Sequence, residues 1–168
     1  MNRGEREALF ADLFQENKSM LQRLCYGYLG SAEHVEDLLQ EIMTNVWNSL
    51  PSFRGEARIS TWVYRIAVNT ALVFRKKWRS GEELTELADP GRGTHQRLEE
   101  EERLRALRKA IASLPSQDRV IVTLLLEGLS YKEISEITGI SVNYVGVKIS
   151  RIKQALEDLM TEVTRGAV

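Results

Sequence analysis

Apolar residues recur every three or four positions almost from one end of this 168-residue chain to the other, and no segment alternates apolar with polar residues as a half-buried strand does. That periodicity predicts an all-α fold. Leu9, Phe10, Leu13 and Phe14, then Leu21, Leu24, Cys25, Tyr28 and Leu29, predict two helices or one bent helix ending at Gly30. Ser31 is expected to cap the next helix, whose stripe of Val35, Leu38, Leu39, Ile42, Met43, Val46, Trp47 and Leu50 runs unbroken to Pro51. "PSFRGEARIS" reads as a loop. After it, Ser60 is expected to cap a helix that buries Trp62, Ile66, Thr70, Val73 and Phe74 and turns Arg65, Asn69 and Lys76 the other way.

The pattern breaks at "RSGEELTELADPGRGTH", where Gly81, Pro90, Gly91 and Gly93 punctuate the chain. The expected architecture is two small helical domains, residues 1–78 and 96–168, joined by a flexible linker, 79–95. Charge divides along the same lines: 10 basic and 9 acidic residues in 1–78, 4 and 8 in 79–103, 9 and 7 in 104–168. The run "EEEE" at 99–102 reads as the start of a helix continued by Leu104, Leu107, Ile111 and Leu114, in preference to a docking segment. Carboxylates there complement the macrodipole, and Glu99/Arg103 and Glu101/Arg105 stand at i, i+4. A further helix is expected from Pro115 to near Gly128.

With 43% hydrophobic residues the chain can bury a core, but 23 Lys+Arg against 24 Asp+Glu leave no global field to draw it onto nucleic acid. Any DNA contact must be local or assisted. One cysteine excludes an internal disulfide framework, and Cys25 with His34 and His95 makes no zinc-like cluster. No apolar run reaches the length of a membrane span, and "MNRGEREALFADLF" lacks a signal peptide's apolar segment. A cytoplasmic protein without metal or cofactor is expected. No phosphate-binding glycine loop, paired nucleophile and histidine, or paired-carboxylate motif marks it as an enzyme, and no small-molecule substrate is implied.

"LSYKEISEITGISVNYVGVKISRIKQAL" has the form of a helix-turn-helix. Ser130 with Glu133 makes a capping box, Ile134 and Ile137 face inward, Gly139 supplies a left-handed turn, Ile140 packs beneath it, and Ser141 caps the second helix. Val145, Ile149, Ile152 and Leu156 form that helix's buried stripe. Ser141, Asn143, Tyr144, Gly146, Val147, Lys148, Ser150 and Arg151 are left on or near its exposed side. Such a helix presents its N-terminal residues to base edges, so Asn143, Tyr144 and Val147 are placed to read, and Lys148 and Arg151 to hold phosphates. A three-helix bundle without DNA would share the pattern.

Two segments together resemble one family. "AEHVEDLLQEIMTNVWNSLPSFRGEARISTWVYRIAVNTALVFRKK" (32–77) looks like the second region, and "LPSQDRVIVTLLLEGLSYKEISEITGISVNYVGVKISRIKQAL" (114–156) like the fourth region, of bacterial sigma factors of the extracytoplasmic-function type. The resemblance implies a dissociable RNA polymerase subunit that directs the enzyme to particular promoters, docking on its clamp coiled coil and flap. It implies that Asp37, Gln40, Glu41, Thr44 and Asn48, on the polar arc of the "EDLLQE" helix, meet the clamp. It also implies that the "SFRGEAR" loop and following helix open and read the minus-10 element, through Phe53, Arg54, Arg65, Asn69, Arg75, Lys76 and Lys77. An aromatic face and a guanidinium both stack on an unpaired base, though Phe53 reads equally well as a loop aromatic tucked against the core. The fourth-region residues named above would then read the minus-35 element. An anti-sigma factor is the family's usual inhibitory partner. The chain departs from the family's habit at Val68, where a basic residue is frequent, and at Asn143, Tyr144 and Gly146.

The linker adds a physical constraint. As a flexible coil it spans about 21–25 Å, and fully extended about 56–61 Å, whereas promoter elements two helical turns apart are separated by roughly 70 Å. The domains are therefore expected close together in the free chain and far apart on polymerase. Two other readings stand beside this one: a dimeric helix-turn-helix regulator acting alone, and a protein-binding helical adaptor docking through an exposed Val68/Leu72 patch.

Overall fold

The computed structural model describes residues 2–78 and 95–165, with side chains described for 2–74 and 99–162. The expected linker therefore lies almost wholly outside the described residues. Those residues form seven α-helices and no strand: α1 (Arg3–Leu29), α2 (Val35–Ser49), α3 (Ile59–Trp78), α4 (His95–Ser113), α5 (Ser116–Leu126), α6 (Tyr131–Thr138) and α7 (Val142–Arg165), with a single 3₁₀ turn at Leu50–Ser52.

α1 is one helix. Asn2 and Glu5 close a capping box at its start, and Gly30 ends it in the left-handed region at φ 74°, its N–H donating to the Tyr26 carbonyl at 2.8 Å. Two expected caps are wrong. α2 begins at Val35, with His34 in the cap position and no side-chain cap; Glu36 and Asp37 in the first turn face the positive end of the helix instead. α3 begins at Ile59 with the Arg58 carbonyl accepting from Trp62, so Ser60 lies inside the first turn.

α1, α2 and α3 pack on one another through Leu21, Leu38, Ile42, Val46, Val63 and Ala67, all essentially without exposure. α5, α6 and α7 pack through Leu124, Ile134, Val145 and Ile149. These two sets are not separate cores. α1 lies against α4 and α5, and α3 lies against α6, so the buried residues of both halves make one cluster. Helix α3 is thus covered by both halves. Val68, expected on an exposed patch, is 3% exposed and Leu72 is partly buried, which removes the docking patch on which the adaptor reading relied. Conversely Val73, expected in the core, is 52% exposed. Trp62 and Ile66 are only half-buried.

The seam between the halves is close and partly ionic. A Cβ on Gly27 of α1 would stand 2.9 Å from Thr123 Cγ2 of α5, and one on Gly30 would stand 2.7 Å from Ala112 Cβ of α4, so only glycine admits this approach. Arg119 of α5 is 1% exposed; its Nη1 donates to the Tyr28 carbonyl in the last turn of α1 at 2.9 Å, and its Nη2 to the Leu114 carbonyl at 3.0 Å. The carbonyls of a last helical turn lack partners within the helix, and α1 has no basic residue of its own there. Arg119 supplies the missing cation from the other half. At the rim, Arg23 grips the Glu127 carboxylate through Nε and Nη2 at 2.9–3.1 Å. Tyr64 of α3 stands beside this pair, and burial together with the Glu127 charge pushes its hydroxyl up to about 12.

Candidate nucleic-acid interface

The helix-turn-helix forms for the reasons legible in its residues. Ser130 Oγ accepts from the Glu133 N–H while the Glu133 carboxylate accepts from the Ser130 N–H and hydroxyl, each at 2.8 Å, and these bonds hold the Glu133 carboxyl below its ordinary pKa. Gly139 turns the chain at φ 76°, and Ser135 Oγ ties the turn by donating to the Ile140 carbonyl. Ser141 Oγ accepts from the Tyr144 N–H at 3.2 Å, opening α7 as expected.

Val145, Ile149 and Ile152 are buried, and the opposite side of α7 is open: Val142, Tyr144 and Val147 are 44–46% exposed, beside exposed Asn143, Ser150 and Arg151. This face offers an amide, a phenol and branched methyl groups to a groove, a set suited to adenine edges and thymine methyls. Gly146 is half-buried near the Tyr131 ring. Lys148 stands apart from the rest. Its Nζ donates to Asp118 Oδ1 of α5 at 2.6 Å, and the two side chains keep only 17% and 19% of their exposure.

In the N-terminal half, Phe53 is half-buried, with its ring 5.1 Å from Trp62, while Arg54 beside it is exposed ahead of the left-handed Gly55. Arg65 and Asn69 are exposed on α3, but Arg65 Nε donates to the Glu136 carbonyl of α6 at 2.6 Å. The fold therefore places one cation of the N-terminal set against the helix-turn-helix. Arg75, Lys76 and Lys77 lie outside the described side chains.

On α2, Asp37, Gln40, Thr44 and Asn48 form an exposed polar stripe, with Glu41 half-buried at its edge and Thr44 Oγ1 donating to the Gln40 carbonyl. A surface cleft of about 520 Å³ borders Asp37 and Gln40 at the N-terminal end of the stripe, lined on the α1 side by Phe10, Phe14 and Lys18. Phe10 also stacks edge-on against Trp47, over which the Arg6 guanidinium lies at 3.9 Å. Sequence reasoning missed Asp118, Arg119 and Glu127 altogether. Their only signals were an acidic and a basic residue in a helical first turn and a glutamate before Gly128.

Comparison with known proteins decides the family. Residues 13–80 match Sigma-70 region 2 and residues 104–156 match Sigma-70, region 4. The chain is 32% identical, over 149 residues covering 78% of it and 76% of the relative, to the ECF RNA polymerase sigma-E factor of Escherichia coli strain K12. The chain belongs to the ECF sigma factors. It is also 28% identical over 164 residues to the RNA polymerase sigma factor SigV of Bacillus subtilis, covering 91% of this chain and 95% of that one. As a sigma factor it serves transcription initiation. Two solved structures share the fold at 21% identity: CnrH in complex with the cytosolic domain of CnrY (TM-score 0.69, 93% of this chain and 90% of that one), and RpoE in complex with the anti-sigma factor NepR from Bartonella quintana (TM-score 0.70, 89% and 97%). Among the described residues no group of His, Cys, Asp or Glu could hold a metal, and no helix is long and apolar enough to cross a membrane.

Proposed function

We propose that this sigma factor engages the polymerase clamp through the α2 stripe of Asp37, Gln40, Thr44 and Asn48, reads a minus-10 element with the Phe53–Arg54 loop and the Arg65–Asn69 face of α3, and reads a minus-35 element with α7. In this reading residues 1–78 and 96–168 act as separate DNA readers tethered by 79–95. The observation that carries it is the coexistence of two open faces, on α2 and on α7, in opposite halves of one chain. Neither face is packed against another helix. Two weak readers mounted on one large enzyme gain from the high effective concentration of the second contact, so neither needs a strong positive field of its own.

The contact of α3 with α6 supports a resting form in which the minus-10 face is partly engaged, Arg65 donating to the Glu136 carbonyl. The α7 face stays open in it. Polymerase would separate the halves, and an anti-sigma factor would hold them together. An apolar cleft of about 420 Å³ at the seam, lined by Tyr26, Val35, Ile111 and Leu126 with Arg108 at its rim, fits an amphipathic segment carrying an acidic residue. The protein works in the cytoplasm and performs no catalysis; the polymerase does the chemistry.

The test is transcription from a genomic fragment library by core polymerase with and without the chain. Initiation at a common promoter class only when both are present is expected. Tight binding to an operator as a dimer, with no polymerase-dependent initiation, would leave the stand-alone regulator in its place.

A further inference from the structure

The recognition helix carries three cations in its first half, Lys148, Arg151 and Lys153, and they are not equivalent. Arg151 and Lys153 are exposed, whereas Lys148 is four-fifths covered and spends its ammonium on Asp118 at 2.6 Å. Asp118 sits in the first turn of α5, where the helix amides favour a carboxylate, so the anion is fixed and the flexible lysine comes to it. The sequence neighbour Val147, 46% exposed, shows that this part of α7 borders the open face. A lysine stem rooted here can turn either to α5 or outward. The same ammonium lies 5.8 Å from the centroid of the Tyr144 ring, on the open face itself.

We propose that Asp118 is a positioning residue for DNA reading: it withdraws Lys148 from the phosphate backbone and, through Lys148, steadies the ring of Tyr144. The proposal rests on α7 being a DNA reader. A charge pair with under a fifth of its surface open is screened far less than a surface pair, and a phosphate would have to break a short charge-assisted bond to recruit Lys148. The recognition helix then offers one phosphate contact fewer than its residues suggest. Its solitary affinity and its salt dependence are correspondingly lower, while Asn143, Tyr144 and Val147 keep their hold on sequence.

The test uses the intact chain as wild type, Asp118→Asn, Lys148→Ala and the double variant. Urea unfolding of the four proteins gives the coupling between the two residues, independent of DNA, and non-additive stabilities are expected. Anisotropy with a fluorescent mixed-sequence duplex between about 50 and 200 mM salt gives the slope of log Kobs against log salt. Lys148→Ala should keep the wild-type slope, Asp118→Asn should steepen it by about 0.9 as the freed lysine reaches a phosphate, and the double variant should return to wild type. Additive stabilities overturn the pairing. A slope that flattens by about 0.9 in Lys148→Ala and stays put in Asp118→Asn shows Lys148 already on a phosphate, and overturns the withdrawal. If the coupling is present but no variant binds the duplex, the DNA role of α7 has failed, and the proposal goes with it.

Discussion

Gly27 offers the cleanest handle on the proposed separation of the halves. Alanine in the middle of a helix is ordinarily more stable than glycine by about 0.5–1 kcal/mol, and α1 gains this whether the halves are together or apart. Only the closed form meets the new methyl, which would sit 2.9 Å from Thr123 Cγ2 and 3.1 Å from its Oγ1. Overpacking of this kind costs about 1–3 kcal/mol, so Gly27→Ala should move the closure equilibrium about 5- to 150-fold toward separation, and Gly27→Leu further. Spin labels at Glu16→Cys and Glu157→Cys, both exposed and in opposite halves, read this as a growing population at long distance. Thr123→Ala removes both crowding atoms and should return Gly27→Ala to the wild-type distance distribution. If Gly27→Ala and Gly27→Leu both keep that distribution, and Gly27→Ala melts higher than wild type, the close approach of α1 to α5 plays no part in closure.

Tyr64 keeps its proton in the folded chain to about 12, above the ordinary 10, so the unfolded chain loses that proton first and stability should fall as pH rises from 10 to 12. Tyr64→Phe should abolish this part of the fall in denaturant titrations across that range. Glu133 runs the other way: its folded pKa lies below 4.5, so its stabilisation is complete above that value and drains away as pH drops through the folded one. Thermal melts of Glu133→Gln should therefore lie below wild type at pH 6 and converge with it in acid. Cys25, buried and pushed up to about 12, should resist a thiol reagent at pH 8 until denaturant is added. In promoter-dependent initiation, Arg151→Ala should weaken all minus-35 sequences alike, whereas Asn143→Ala or Tyr144→Ala should change which are preferred, as read by a randomised-promoter selection.

Where a helix buries one face, the sequence displayed it. The α7 stripe, the capping box at Ser130, the turn at Gly139 and the single stop at Gly30 all follow from local chemistry acting on period 3.6. Errors gathered where a second partner intervenes. α3 contacts both halves, so its buried arc is wider than one stripe and rotated from the arc read off the sequence, taking in Val68 and releasing Val73. Ser31 and Ser60 carry the right hydroxyl for a cap but sit four residues before and one residue after the true helix starts. Lys148 shows the limit for sites: on a helical wheel it flanks the buried stripe of Val145, Ile149 and Ile152, and nothing within α7 announces an aspartate arriving from α5. Asp118 and Arg119 are adjacent in sequence yet serve different neighbours, one the recognition helix and the other the end of α1.

Arg119 also bears on how such a chain survives being opened. A seam made wholly of leucines would expose a sticky surface every time the halves parted, inviting aggregation or exchange of halves between molecules. A guanidinium resting on a helix-end carbonyl is different, because water can replace both partners' bonds at small net cost. At the end of α1, within an otherwise largely apolar seam, the joint uses a group that water can serve as well as the protein does. If the halves part as proposed, the chain gains from a joint that water can re-enter.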